Sequence, residues 1–263
     1  MLQRLNGATR LYPIVGDPIV QVQSPAGVSR GLLEHGVNGL CIPAHVAPAD
    51  LAPFVEGLSR AENVDGLIVT VPHKFAAFRL CASASARAGR LQAVNVMRRN
   101  PDRTWHGEML DGLAFVKAQQ AAGRRLRGAR ALLVGAGGAG SAIALALIES
   151  GVRELVIHDQ DPARLEALLH RLAGAAATVR SGSPDPTGFD LICNATPSGM
   201  RAGDPLPVAV ANLTPAMSVG DVVTKPEATP LLIAARAKGC PTATGIDMFG
   251  FVQRLLIDFL LGH

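Results

Sequence analysis

The feature that most constrains this chain is the hexapeptide Gly135-Ala136-Gly137-Gly138-Ala139-Gly140. The spacing alone is common, but its surroundings are restrictive. An apolar run at 129–134 precedes it and reads as a buried strand, and residues 141–150 read as a helix closed by Gly151. A second strand, 154–159, ends on Asp159, 19 residues beyond Gly140. Strand, glycine turn, helix and a strand with a terminal acid make a dinucleotide-binding βαβ unit. In such a unit Gly135 permits the tight turn, Gly137 lets backbone approach a pyrophosphate, and Gly140 lets helix and strand pack closely. The helix N-terminus then offers N–H groups and a partial positive charge to the phosphates. Asp159 stands where an acid bonds a ribose 2′-hydroxyl, and a carboxylate there repels a 2′-phosphate. The adjoining segment holds Asp159 and Asp161 before its only arginine, Arg164. NAD is therefore favoured over NADP, although Arg164 has the reach to swing towards a phosphate.

The rest of the chain keeps the same rhythm. Strands are expected at 12–16, 39–43 and 65–71, the last stopped by Pro72. Between the first two, 25–35 reads as a helix with Ser24 as N-cap and Pro25 at its first position. Further strands are expected at 176–180, 189–194 and 217–223, and helices at 162–173 and 230–238. Alternation of helix and strand implies an α/β fold with mainly parallel sheets. The 263 residues approach twice a typical domain of about 150, and the polar stretch near 100–112 marks a boundary. Two domains are expected: 1–108, rejoined by 243–263 through an apolar-periodic helix at 247–261 that folds back, and 109–242, which carries the glycine turn.

Composition removes several classes. With 48% hydrophobic and 17% charged residues the chain has material for a core and is not disordered. Its net charge of +4 includes no long run of like charges, and Arg124, Arg125, Arg127 and Arg130 read as a solvated interdomain segment. Aromatic residues are only 4%, which argues against base-stacking and a nucleic-acid partner. No run reaches the ~18 apolar residues of a membrane span, and the first residues lack a signal-peptide core. Cys41, Cys81, Cys193 and Cys240 form no paired motif, so a reduced cytoplasmic protein is expected. The seven histidines include no HExxH, so no protein-bound metal is expected.

Beyond the glycine turn, nine segments fall into one familiar order. Gly16-Asp17-Pro18-Ile19, Gln23-Ser24-Pro25, Val69-Thr70-Val71-Pro72-His73-Lys74 and Ala93-Val94-Asn95 come first. Asp111-Gly112, the glycine turn, residues 194–200, Thr229-Pro230-Leu231-Leu232 and Gly245-Ile246-Asp247-Met248 follow. On these segments the chain resembles the shikimate dehydrogenase family over nearly its whole length. The resemblance implies an α/β substrate domain, a Rossmann NAD(P) domain and a cleft between them. It implies Lys74 and Asp111 as the catalytic pair, with Ser24, Thr70, Asn95 and Gln253 on the substrate. It implies a cofactor held by Gly135, Ala136, Gly137, Gly138, Ala139, Gly140, Asp159, Asn194, Ala195, Thr196, Gly245 and Met248.

The chemistry is coherent with those roles. Oxidising a secondary alcohol needs a base for the hydroxyl proton while nicotinamide accepts hydride, and a partly desolvated lysine can shuttle that proton. Asp111 would hold the hydroxyl and the lysine in register. Ser24 can serve as both helix cap and substrate ligand.

The chain also departs from the family pattern. Val22 replaces the first serine of the usual Ser-x-Ser-Pro, Ile68 and Val96 replace an asparagine and a threonine, and Met109-Leu110 precede Asp111 where Asn-Thr is usual. Thr224 replaces a tyrosine, and the C-terminal glutamine position is Val252, with Gln253 one place later. That step turns a helical side chain by about 100°. Polar residues are thus exchanged for apolar ones where the family binds substrate, while the Lys–Asp pair is kept. The expected activity is reversible NAD(P)-linked oxidation of a small cyclic hydroxy acid of the shikimate type, in aromatic amino acid or quinate/shikimate metabolism, by a monomer or homodimer. The alternatives are a quinate- or aminoshikimate-directed paralogue, or an NAD-binding regulatory homologue without turnover. A folate-linked dehydrogenase accounts for Lys74 but not for residues 194–200 or 229–232.

Overall fold

The computed structural model describes residues 5–263. In chain order its elements are β1 (Arg10–Leu11), β2 (Ile14–Gly16), α1 (Ser24–Glu34), β3 (Gly39–Leu40), β4 (Pro43–His45), α2 (Leu51–Arg60), β5 (Gly66–Val69), α3 (Lys74–Phe78), β6 (Ser83–Ala84), α4 (Ala86–Leu91), β7 (Val96–Arg99) and β8 (Trp105–Glu108). They continue as α5 (Asp111–Ala121), β9 (Arg130–Val134), α6 (Gly138–Glu149), β10 (Glu154–His158), α7 (Pro162–Arg171), β11 (Thr178–Ser181), β12 (Leu191–Asn194), β13 (Ser218–Asp221), α8 (Pro230–Ala237), β14 (Thr242–Ala243) and α9 (Gly245–Leu261). Contacts divide the chain into two units, Met1–Leu110 with Gln253–His263, and Asp111–Val252. The divisions fall at 110/111 and 252/253, the second about two turns into α9 rather than at 243.

The first unit carries a six-stranded sheet in the order β4-β2-β5-β7-β8-β6. Three of its five pairings are parallel and two antiparallel. β2 and β5 are short apolar runs buried at every position, as central parallel strands require. The antiparallel pairings come from the hairpin β7–β8, whose tip spans Asn100 to Thr104. The hairpin was not expected from the sequence. Its outer ends carry Arg98, Arg99 and His106, which hide the apolar signal, whereas the Asn100-Pro101-Asp102 turn was readable. Arg99 has a structural use: its guanidinium reaches the carbonyls of Ser59 and Ala61 at the end of α2 and of Val64. The C-terminal part of α9 covers this unit where glycines leave room. A Cβ on Gly31 would stand 2.8 Å from Ile257, and one on Gly66 2.3 Å from Leu260.

The second unit is a parallel sheet in the order β11-β10-β9-β12-β13-β14. Numbered from β9 this is 3-2-1-4-5-6, the doubly wound dinucleotide order. β12 and β13 are buried throughout, and α6 is buried on every side from Gly140 to Ile148. α5 crosses α6 closely because Gly112 has no side chain, and a Cβ there would lie 2.0 Å from the carbonyl oxygen of Ala142. Helix starts follow capping chemistry. Asp161 accepts from the N–H groups of Ala163 and Arg164 at α7, and Thr229 accepts from Leu232 at α8. Thr244 and Asp247 cap α9 reciprocally. The expected cap at α1 is corrected by one residue: Ser24 is its first helical residue, after a Gln23 that makes no side-chain cap bond. Among the described residues no helix is long and apolar enough to cross a membrane.

Candidate active site

In the second unit the C-terminal ends of β10, β9, β12 and β13 meet in one braced set of loops. Gly135 follows β9 at a φ of 106°, in the left-handed region that only glycine adopts freely. Gly140 is held tightly, since a Cβ there would fall 1.9 Å from the Gly135 carbonyl oxygen. Gly137 is the opposite case: a Cβ would meet nothing within 4 Å, and it precedes α6 without any side-chain cap on the first turn. Open backbone at a bare helix N-terminus suits an anion. Asp159, with its side chain 8% exposed, accepts the Ala136 N–H at 2.6 Å and the Asp161 N–H at 2.8 Å. The Arg164 guanidinium lies 3.6 Å from Asp159 and 3.4 Å from Asp161.

On the other flank a Cβ on Gly135 would strike Ala195, so the loop after β12 packs directly on the glycine turn. Asn194 is fully buried, and its Oδ1 accepts from the Thr196 N–H and hydroxyl at 3.0 and 2.7 Å. Its Nδ2 donates to Asp221 Oδ1 at 3.0 Å. Asp221 also accepts the Val223 N–H at 3.0 Å and, through Oδ2, the Thr229 hydroxyl at 2.7 Å. Burial pushes the Asp221 carboxyl above its ordinary value, while its hydrogen-bond donors pull it back down. Gly245 completes the set, since a Cβ there would lie 2.3 Å from the Val223 carbonyl oxygen, and Met248 is buried one turn later. The sequence reads as a strand at 217–223 and does not single out Asp221. The available signal was a single carboxylate ending an otherwise apolar run.

In the first unit three of the candidate residues converge at one end of β5. Thr70 donates its N–H to Val15 at 3.0 Å and packs against Gly16, whose absent Cβ leaves room for the threonine methyl. The Lys74 carbonyl, at the start of α3, accepts the Val94 N–H at 3.0 Å. Asn95 is 3% exposed; its carbonyl accepts the Val69 N–H, and its side-chain Oδ1 takes the Leu110 N–H at 2.9 Å. That bond fixes the residue before Asp111, which is itself buried at the first position of α5. Ser24 and Gln253 form a separate pair of neighbours. The Gln253 amide fills the space above Gly27, one turn from Ser24 on α1. Of the apolar replacements, Ile68 and Val96 are buried cross-strand partners and Met109 is buried, while Val22 is partly exposed.

Residues 14–97 match the family described as the shikimate dehydrogenase substrate binding domain. A shikimate dehydrogenase (NADP(+)) of Rubrobacter xylanophilus is 37% identical over 251 residues, covering 92% of this chain and 87% of the relative. The chain belongs to the shikimate dehydrogenase family. The members of this family are NAD(P)-dependent oxidoreductases that act on a secondary alcohol. Residues 112–172 also match the ThiF family; that stretch holds α5, β9, the glycine turn, α6, β10 and α7. Among solved family structures, shikimate 5-dehydrogenase of Listeria monocytogenes in complex with shikimate and NAD has a TM-score of 0.88 at 25% identity, covering 99% of this chain and 94% of that one. Quinate dehydrogenase of Corynebacterium glutamicum in complex with NAD has a TM-score of 0.86 at 28% identity, covering 97% and 94%.

Proposed function

We propose that this family member oxidises, reversibly, the secondary alcohol of a cyclic hydroxy acid of the shikimate or quinate type, with NAD rather than NADP. The observation that carries the cofactor choice is the carboxylate pair at the end of β10. Asp159 is collared by N–H groups of the glycine turn and of its own loop, and the one nearby guanidinium, Arg164, is shared between Asp159 and Asp161. A ribose diol finds an acceptor there, and a 2′-phosphate finds two carboxylates. The Rubrobacter relative carries NADP(+) in its name, whereas the Listeria and Corynebacterium structures hold NAD.

The residues present fit a dinucleotide: open backbone at Gly137, an uncapped α6 and the braced loops at Asn194, Ala195, Thr196, Gly245 and Met248. Bound NAD supplies a hydride acceptor. In this reading Lys74 takes the hydroxyl proton as the carbon loses hydride, so that alcohol and NAD⁺ give ketone, NADH and a proton. Asp111 holds the hydroxyl towards Lys74. Thr70, Asn95, Ser24 and Gln253 contact the substrate's remaining polar groups, and the serine lost at position 22 turns specificity away from a strict shikimate enzyme.

The test is turnover of shikimate, quinate and aminoshikimate with NAD and with NADP, read as the absorbance of reduced nicotinamide. NAD-linked oxidation of at least one acid is expected, and Lys74→Ala should slow it about 10²–10⁴-fold with NAD affinity kept. NAD binding without turnover of any acid would leave a non-catalytic homologue. An active Lys74→Ala enzyme would remove the lysine from its role, and preference for NADP would overturn the reading of Asp159.

A further inference from the structure

The arginines ahead of β9 have no part in that reading. Arg124, Arg125 and Arg127 line an open cavity of about 320 Å³ in the second unit, together with Asp190 and Ser218. These residues lie at the N-terminal ends of β9, β12 and β13. The glycine turn lies at the other end of the same strands, about 15 Å away along a five-residue strand. The cavity is therefore separate from the dinucleotide loops.

Positive charge outnumbers negative around the cavity. A few residues on, Arg130 is paired within the fold: its Nε meets Glu154 at 2.7 Å, its Nη1 the Gly188 carbonyl at 2.6 Å, and its backbone N–H the Asp190 carboxylate at 2.7 Å. Arg124, Arg125 and Arg127 make no ion pair among the described residues. The Arg124 Nε is buried and has no acceptor at all. A buried donor without a partner is costly to the fold. The segment that presents these side chains is ordered, with the Arg124 N–H on the Gln119 carbonyl and the Gly128 N–H on Gly151. Three arginines and one carboxylate line the cavity, a surplus of positive charge that suits a dianion, and the guanidinium fork matches phosphate oxygens. The volume lies at the lower end of small-ligand sites, about 300–1,000 Å³.

We propose that this cavity is a second anion site that binds phosphate dianion, free or as a small phosphomonoester. The experiment titrates the full chain, saturated with NAD, with inorganic phosphate and in a second arm with glycerol phosphate. Ionic strength is held constant with chloride, and binding is read by calorimetry and thermal shift. The wild type should bind at least one of the two saturably, and the tighter arm identifies a free or esterified phosphate. The triple substitution Arg124→Gln, Arg125→Gln, Arg127→Gln should weaken binding about tenfold or more while NAD affinity is unchanged. Arg125→Glu, a single change at an exposed position, should weaken it in the same direction. Equal affinity in wild type and both variants, no saturable binding in either arm, or a shift reproduced by chloride alone would overturn the site.

Discussion

Two glycines three residues apart in the same turn are expected to fail in different ways when given a methyl group. At Gly140 the new Cβ would stand 1.9 Å from a backbone carbonyl oxygen, against an ordinary contact of 3.4 Å or more, so the turn or α6 must move by roughly 1.5 Å. Overpacking of that kind costs about 1–3 kcal/mol, and Gly140→Ala should melt about 5 °C lower. At Gly137 the Cβ meets no protein atom within 4 Å, and φ of −70° with ψ of −169° is a conformation alanine adopts. Alanine there loses some N-cap preference and restricts the unfolded chain, two effects of opposite sign below about 1 kcal/mol each. The fold should be unmoved. The same methyl would, however, occupy the space that the proposed function gives to the pyrophosphate. Loss of one charge-assisted N–H bond, about 1.5–3 kcal/mol, lowers NAD affinity at least about tenfold. Scanning calorimetry and titration calorimetry with NAD read the two effects separately. Wild-type NAD affinity in Gly137→Ala would show that the open space is not where the phosphates go. A melting point several degrees lower would show that the position is not open.

Asp221→Ala strands the donors of Asn194, Val223 and Thr229 in a buried place, a net loss of about 3 kcal/mol after relief of the desolvated carboxylate and a drop of about 5–10 °C in Tm. Asp221→Asn, which keeps one acceptor oxygen, should fall by much less, and a wild-type melt for the alanine variant would refute the bracing role. Glu154 is held below its ordinary value of 4.5, chiefly by hydrogen bonds from Arg130 and then from Arg180. A lowered acid stabilises the fold above its unfolded value and loses that contribution as pH falls through the folded one. Glu154→Gln should therefore melt below wild type near neutral pH, with the gap closing below pH 4.5; a gap constant with pH would refute the charge argument.

What could be read from the sequence was whatever the backbone makes local. The glycine turn, the strand before it, the helix after it and Asp159 are consecutive, and each carries its own constraint, so the second unit's strand order follows almost directly. The β7–β8 hairpin was not legible, because its half-buried arginines and histidine, held by backbone carbonyls and Phe259, break the apolar pattern and only its turn remained as a clue. Asp221 was missed for a different reason. Two of its three partners are 27 residues earlier and eight later, and nothing local distinguishes a buried acceptor of three bonds from a strand-end carboxylate. Ser24 shows a finer limit: the Ser-Pro pair marks the start of α1, but whether serine caps the helix or opens it depends on packing that sequence does not carry.

The carboxylates at the two sides of the turn tie its neighbouring loops to one another. Asp159 ties the end of β10 to Ala136, Gly135 packs on Ala195, Asn194 ties β12 to Asp221, and Asp221 ties β13 to Thr229 at the start of α8. Four loops are joined in sequence across four strand ends, and Gly137, at the centre, is the position left open. A cradle built in this way spends little ordering entropy when it binds, so its selectivity comes from what its walls present. On the side the proposed function gives to the ribose they present Asp159 and Asp161, with Arg164 already shared between them. Neutralising Arg164 as Arg164→Ala should for that reason leave NAD affinity within about twofold. On the proposed NAD preference, Asp159→Ser with Asp161→Ser should raise NADP-linked turnover relative to NAD. If Arg164→Ala alone abolished activity with either dinucleotide, the arginine and not the acids would be the group that reads the ribose.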